Sequence, residues 1–113
     1  MELIGLVHLR KIEKKKLGDK KLRKNIEKLI SLIKSAEWKT PLEIKDSGID
    51  ADCVHSDGFY FFNITGNYRT LILIEFVDQE ASIIWAGDHD KYERTFNNNK
   101  NDIKRWLTNQ GYI

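Results

Sequence analysis

The side chains best suited to chemistry in this sequence lie in one short segment, Gly87–Tyr92. It reads Gly-Asp-His-Asp-Lys-Tyr and contains an imidazole, an ammonium and a phenol, which are groups that can donate or accept protons. Arg69, in the apolar run before it, is a polar exception among residues that would otherwise be buried. Groups of this kind at the rim of a rigid scaffold are typical of functional sites.

Three apolar runs must position these groups. Phe59–Ile64 is aromatic and β-prone, Tyr68–Phe76 and Ala81–Ala86 follow, and polar turns separate them. The pattern predicts an antiparallel meander over 53–90 that includes a short strand around Cys53. Alternation places Arg69 on the same face of the middle strand as the apolar side chains of Leu71 and Leu73.

Helical spacing dominates the segments outside this meander. We predict a strand over 1–8, a helical hairpin over 9–36 laid on one face of the sheet, and a terminal helix over 102–110. Pro41 is expected to end the helical region, and 42–56 reads as a connection. The fold class is therefore α+β, in a single domain spanning 1–113.

Composition narrows the class of protein. The chain has 113 residues, of which 41% are hydrophobic and 32% charged, as expected for a soluble globular protein. Neither a signal-peptide pattern nor a bilayer-spanning run is visible, so we expect a cytoplasmic protein without a membrane partner. Cys53 has no partner for a disulfide or for zinc, and His89 with Asp88 and Asp90 lacks a supporting ligand, so no metal or other cofactor is predicted.

The net charge of +2 hides an asymmetry. Residues 10–45 carry thirteen Lys or Arg against five Asp or Glu, whereas residues 46–113 carry six against eleven. A clustered basic surface attracts phosphate, although a solvated helix face has the same composition.

Two motifs carry a resemblance to a known family. Phe61–Arg69 resembles the "FNIxGNxYRL" turn and strand, and Gly87–Glu93 resembles the "GTHxxYDK" segment, of the HigB branch of the RelE/ParE toxin superfamily. Trp38, after a lysine-rich helix, also resembles a tryptophan of that family. The resemblance spans roughly 22–94. The turn before Tyr68 is one residue shorter than the family pattern, and the segment from Asn97 onward has no counterpart in shorter members.

This resemblance implies a RelE/ParE-like fold and the toxin half of a type II toxin–antitoxin pair. Such toxins are mRNA interferases that usually cut messages on the ribosome, and their partner here would be a HigA-like helix-turn-helix antitoxin. Metal-free cleavage by a 2′-hydroxyl needs proton transfer and stabilisation of phosphoryl charge. Arg69 suits the phosphate, His89 the proton, Lys91 added positive charge, and Tyr92 base stacking or phosphate orientation.

Several lysines are candidates for binding RNA. Lys39 and Lys45, on the connection, are weaker candidates for the pocket of Arg69. The helical lysines could rest on ribosomal RNA backbone or receive an acidic antitoxin segment. These helical lysines are Lys11, Lys14, Lys15, Lys20, Lys21 and Lys24.

Each site residue also has a structural alternative. Arg69 could pair with Glu75 or another carboxylate, His89 could be a loop residue without a role, and Tyr92 could pack on the terminal helix. Asp90 could orient His89 or be solvated. Two other functions stay open at this point: a ParE-like toxin that binds DNA gyrase without cleaving RNA, and an inactive RNA-binding or interaction module.

Overall fold

The computed structural model describes residues 1–113 as five strands and five helices. The strands are β1 Glu2–Ile4, β2 Ala51–His55, β3 Phe59–Thr65, β4 Tyr68–Glu75 and β5 Glu80–Asp88. The helices are α1 Val7–Lys15, α2 Lys20–Ser35, α3 Pro41–Asp46, α4 His89–Phe96 and α5 Lys100–Asn109. None of the helices has both the length and the apolar composition needed to cross a bilayer.

One five-stranded sheet in the order β1-β5-β4-β3-β2 organises the molecule. The strands β2 to β5 pair antiparallel, and β1 joins β5 in parallel. The predicted α+β class and the strand around Cys53 are confirmed. In the centre of the sheet, Arg69 of β4 lies opposite Gly87 of β5 on one side and Asn63 of β3 on the other.

The two faces of the sheet bury separate cores. On one face, Leu9 of α1 and five residues of α2 join side chains of β3, β4 and β5 in a cluster of 17 buried residues. On the other face, α4 and α5 cover a cluster of 10 buried residues that includes Leu71, Trp85 and Phe96. Tyr92 therefore lies on the face of the sheet that α4 and α5 cover, opposite the face covered by α1 and α2.

The first strand is shorter than the predicted 1–8. It ends at Ile4, because Gly5 turns the chain with a φ of 84°, and α1 then begins at Val7. A side chain at Gly5 would collide with the carbonyl oxygen of Ile83, so only glycine fits there.

Two helices were not predicted. The connection over 42–56 contains α3, for which Thr40 is the N-cap and Pro41 the first residue, so Pro41 starts a helix here instead of ending one. The segment after Asp88, read as a strand end and loop, is α4. The Asp88 side chain accepts a hydrogen bond from the Lys91 backbone N–H at 2.8 Å and so caps it.

Candidate functional site

Arg69 is a half-buried cation held by an aromatic ring. Its guanidinium carbon lies 4.6 Å from the centroid of the Tyr92 ring, a cation–π arrangement. Arg69 takes part in none of the five ion pairs of the structure, and Glu75 lies at the opposite end of β4. The alternative that Arg69 pairs with Glu75 is therefore wrong. The guanidinium has no ion-pair partner that a bound anion would have to displace.

Tyr92 is fixed from two sides. Its ring is only 3% exposed and packs edge-on against Phe61, with ring centroids 5.0 Å apart. Its hydroxyl donates to Asn98 Oδ1 at 3.0 Å. Burial raises the pKa of the Tyr92 hydroxyl, and the positive charge of Arg69 acts in the opposite direction. A ring so covered cannot stack on a base, so that expectation is wrong, and Tyr92 instead supports Arg69.

Lys91 adds a second cation close to Arg69. It is exposed, and a Cβ placed on Gly87 would lie 3.2 Å from its Cδ. The lysine stem therefore crosses β5 at Gly87, the residue directly opposite Arg69. The same added Cβ would lie 2.8 Å from the Trp85 ring. Glycine at this position leaves room for the side chains of Trp85 and Lys91. Because Arg69 lies opposite Gly87, Arg69 and Lys91 share one patch of surface.

His89 lies beside the same aromatic ring. Its ring centroid is 6.2 Å from the Tyr92 centroid, and the Arg69 guanidinium carbon lies 4.6 Å from the same point. The sum of these two distances is the upper limit on the separation between the imidazole and the guanidinium. Its backbone N–H donates to the Asn67 carbonyl at 2.8 Å, which ties the start of α4 to the β3–β4 turn. Arg69 and His89 thus both lie beside the Tyr92 ring, and the Lys91 stem passes Gly87 on β5 opposite Arg69.

Three polar residues near the site were not singled out from the sequence. Glu93, one helical turn after His89, places Oε1 3.6 Å from the imidazole Nε2, so Glu93 rather than Asp90 is the carboxylate that pairs with His89. The negative charge of Asp52, on the edge strand β2, acts to raise the pKa of the Tyr92 hydroxyl. Asn98 holds the Tyr92 hydroxyl. Helical i, i+4 spacing would have revealed Glu93 once α4 was recognised. The position of Asp52 depends on the pairing of β2 with β3, and the Asn98 contact depends on the conformation of the turn between α4 and α5.

Lys39 and Lys45 do not share the pocket of Arg69. Lys39 follows Trp38, whose carbonyl accepts from the Gln79 side chain at 2.6 Å, and Gln79 lies in the β4–β5 turn. That turn is at the end of the sheet remote from Arg69. Lys45 lies on α3 and lines a groove with Ala51 and Tyr60, which belong to the core on the other face of the sheet. The sequence expectation of a common pocket is wrong for both.

The helical lysines form an exposed basic surface on α1 and α2. The end of α1 approaches the site, because Lys16 lines a cavity of about 390 Å³ together with Asn67, Asp88 and His89. Asp19 and Asp90 also line this cavity, so its charge is mixed. The basic surface and the Arg69 patch therefore lie on different faces and approach each other at the His89 edge. The exposed lysines of the basic surface on α1 and α2 include Lys11, Lys14, Lys15, Lys20, Lys21 and Lys24.

Comparison with known families gave one match. The sequence model described as HigB_toxin, a RelE-like toxic component of a toxin-antitoxin system, matches residues 22–95. The matched segment contains α3, the strands β2 to β5 and nearly all of α2 and α4. It therefore contains Arg69, His89, Lys91 and Tyr92. A comparison with curated proteins found no match.

Proposed function

Because the chain belongs to the HigB family of RelE-like toxins, the toxic components of toxin–antitoxin systems, we propose that it is an endoribonuclease that cleaves mRNA on the ribosome. The observation that supports this proposal best is the unpaired Arg69 guanidinium. It lies on the Tyr92 ring, which His89 also borders, and opposite Gly87, which the Lys91 stem passes.

The electrostatics of the patch suit a phosphodiester. A half-buried guanidinium keeps its charge and presents parallel N–H donors to two phosphate oxygens. Because no carboxylate neutralises Arg69, binding a phosphate does not require an existing ion pair to break. The exposed Lys91 ammonium supplies a second, movable charge. Together they would stabilise the additional negative charge that develops on the phosphoryl oxygens as the RNA backbone is cut.

In the proposed reaction the 2′-hydroxyl oxygen attacks the adjacent phosphorus. The new O2′–P bond forms, the P–O5′ bond breaks, and the products are a 2′,3′-cyclic phosphate and a 5′-hydroxyl. One proton leaves the 2′-oxygen and one joins the 5′-oxygen. His89 is the side chain in the site suited to carry a proton, and Glu93 Oε1 lies 3.6 Å from its Nε2.

The lysines of α1 and α2 would hold the toxin on ribosomal RNA. Their contacts would be with backbone phosphates, which position a protein without reading sequence. Since this surface approaches the site at Lys16 and His89, a toxin docked through it would present the Arg69 patch at the border of the contact. The family implies an antitoxin partner, which we propose to be a helix-turn-helix protein of the HigA type.

The products of cleavage test this proposal. Purified toxin is added to ribosomes programmed with a defined mRNA, and the ends of the fragments are identified, with ribosome-free mRNA as the matched control. We expect a 2′,3′-cyclic phosphate and a 5′-hydroxyl, and cleavage that depends on the ribosome. Growth arrest with every message intact, together with inhibited supercoiling by purified gyrase, would support the gyrase-binding function instead.

A further inference from the structure

The turn between α4 and α5 reaches the site through one side chain. Asn97 and Asn98 both adopt left-handed backbone conformations, with φ of 51° and 47°, and Asn99 caps α5. Only the Asn98 side chain points toward the site, where its Oδ1 accepts a hydrogen bond from the Tyr92 hydroxyl at 3.0 Å. The Asn97 side chain instead donates to Asp102 Oδ2 at 3.2 Å. Two neighbouring residues with the same backbone geometry thus have different partners.

The acceptor of this hydrogen bond lies outside the segment that the family model matches, whereas the donor Tyr92 lies inside it. The family match ends at residue 95, whereas Asn98 and α5 follow it. The α5 helix is anchored by Ile103 and Leu107, which are buried in the same core as Tyr92. The turn is therefore held in place by a helix on one side and by the site helix α4 on the other.

We infer that Asn98 is a positioning residue for RNA cleavage: by holding the Tyr92 hydroxyl, it fixes the ring on which the Arg69 guanidinium rests. The inference depends on the proposed nuclease function for its catalytic part. Without the acceptor, the Tyr92 hydroxyl loses its hydrogen bond, and ring packing alone is left to hold the tyrosine against Arg69. Arg69 would then sample positions in which its donors no longer match the phosphate.

The test compares two glycine substitutions. Asn98→Gly removes the acceptor, and Asn97→Gly is the matched control, because glycine adopts a positive φ without strain at both positions. In single-turnover cleavage of ribosome-bound mRNA, we expect Asn98→Gly to lower the rate of the chemical step about five- to tenfold with little change in binding. Asn97→Gly should cleave like the wild type. Asn98→Asp, which keeps an acceptor, should lose less than Asn98→Gly.

A double-mutant cycle isolates the hydrogen bond. Tyr92→Phe removes the donor, so combining it with Asn98→Gly should lower the rate no further than the more damaging single change does. Equal losses in Asn97→Gly and Asn98→Gly would show that the turn as a whole matters, and would overturn the inference, as would full activity of Asn98→Gly.

A spectroscopic measurement separates this inference from the nuclease proposal. Because the Arg69 guanidinium lies 4.6 Å from the Tyr92 centroid, we expect the ring current to shift the side-chain N–H resonance of Arg69. Asn98→Gly should move this resonance and Asn97→Gly should not. A wild type that cleaves no message would defeat the proposed function, while the Arg69 resonance would still decide whether Asn98 positions the ring. An unmoved resonance in Asn98→Gly would overturn the inference.

Discussion

Replacing Arg69 by alanine should separate activity from stability. The guanidinium is unpaired and is the only charged group placed on the Tyr92 ring, so alanine removes the main fixed positive charge of the site. Losing one fixed donor to a developing oxyanion typically costs about 10²–10³-fold in rate. We expect a loss in this range for Arg69→Ala. Arg69→Lys should recover only part of it, since an ammonium cannot form the same paired hydrogen bonds.

The cost to stability should be small by comparison. Arg69 has no carboxylate partner, and a cation–π contact at a partly exposed site is worth about 0.5–1 kcal/mol. The free energy of unfolding should therefore fall by about 1 kcal/mol or less, because Tyr92 keeps its packing against Phe61 and Phe96.

Cleavage of ribosome-bound mRNA and urea unfolding measure the two quantities on the same preparations. Arg94→Ala is the matched control, because Arg94 is an exposed arginine on α4 that forms no ion pair. It should retain activity and stability close to the wild type. Undiminished cleavage by Arg69→Ala, or an equal loss in Arg94→Ala, would refute the assignment of Arg69 to the phosphate.

Three further predictions concern the support of the site and its pH dependence. Asp88→Ala removes the side-chain cap of α4 and should lower the free energy of unfolding by about 1 kcal/mol in urea titrations, whereas Asp88→Asn should lower it less. Phe96→Ala empties a fully buried position and should cost about 3–5 kcal/mol in the same assay, a result that a loosely packed core would not give. Burial raises the pKa of Tyr60 from 10.0 to about 12, so the unfolded chain loses this proton first as the pH rises. Stability should therefore fall between about pH 10 and 12, and Tyr60→Phe should flatten that part of the curve of unfolding free energy against pH.

The meander was predictable because its signals are local. Alternating side chains, the Thr65–Asn67 turn and the polar Val77–Glu80 segment fix strands and turns without long-range information. The same alternation placed Arg69 on the correct face. The position of Arg69 opposite Gly87, two residues before His89, followed from the order of the strands, because the start of β4 and the end of β5 meet in an antiparallel pair.

The missed helices had signals that were interpreted differently. Thr40, Pro41 and Glu43 form a typical helix start, but Pro41 was read as a stop. Asp88 followed by Tyr92 and Phe96 has the cap and the i, i+4 spacing of a short amphipathic helix, but the apolar strand before it dominated the interpretation. The burial of Tyr92 and its bond to Asn98 depend on how α4 and α5 pack, which residue spacing does not specify.

The parallel pairing of β1 with β5 also constrains the order in which the chain can fold. Residues 2–4 find their partners at 80–82, so the sheet cannot be completed until most of the chain has been synthesised. Contacts so distant in sequence close slowly, since the loop between them must first lose its freedom. The complete sheet, and with it the fixed position of β5 before the site helix α4, is therefore reached late in folding.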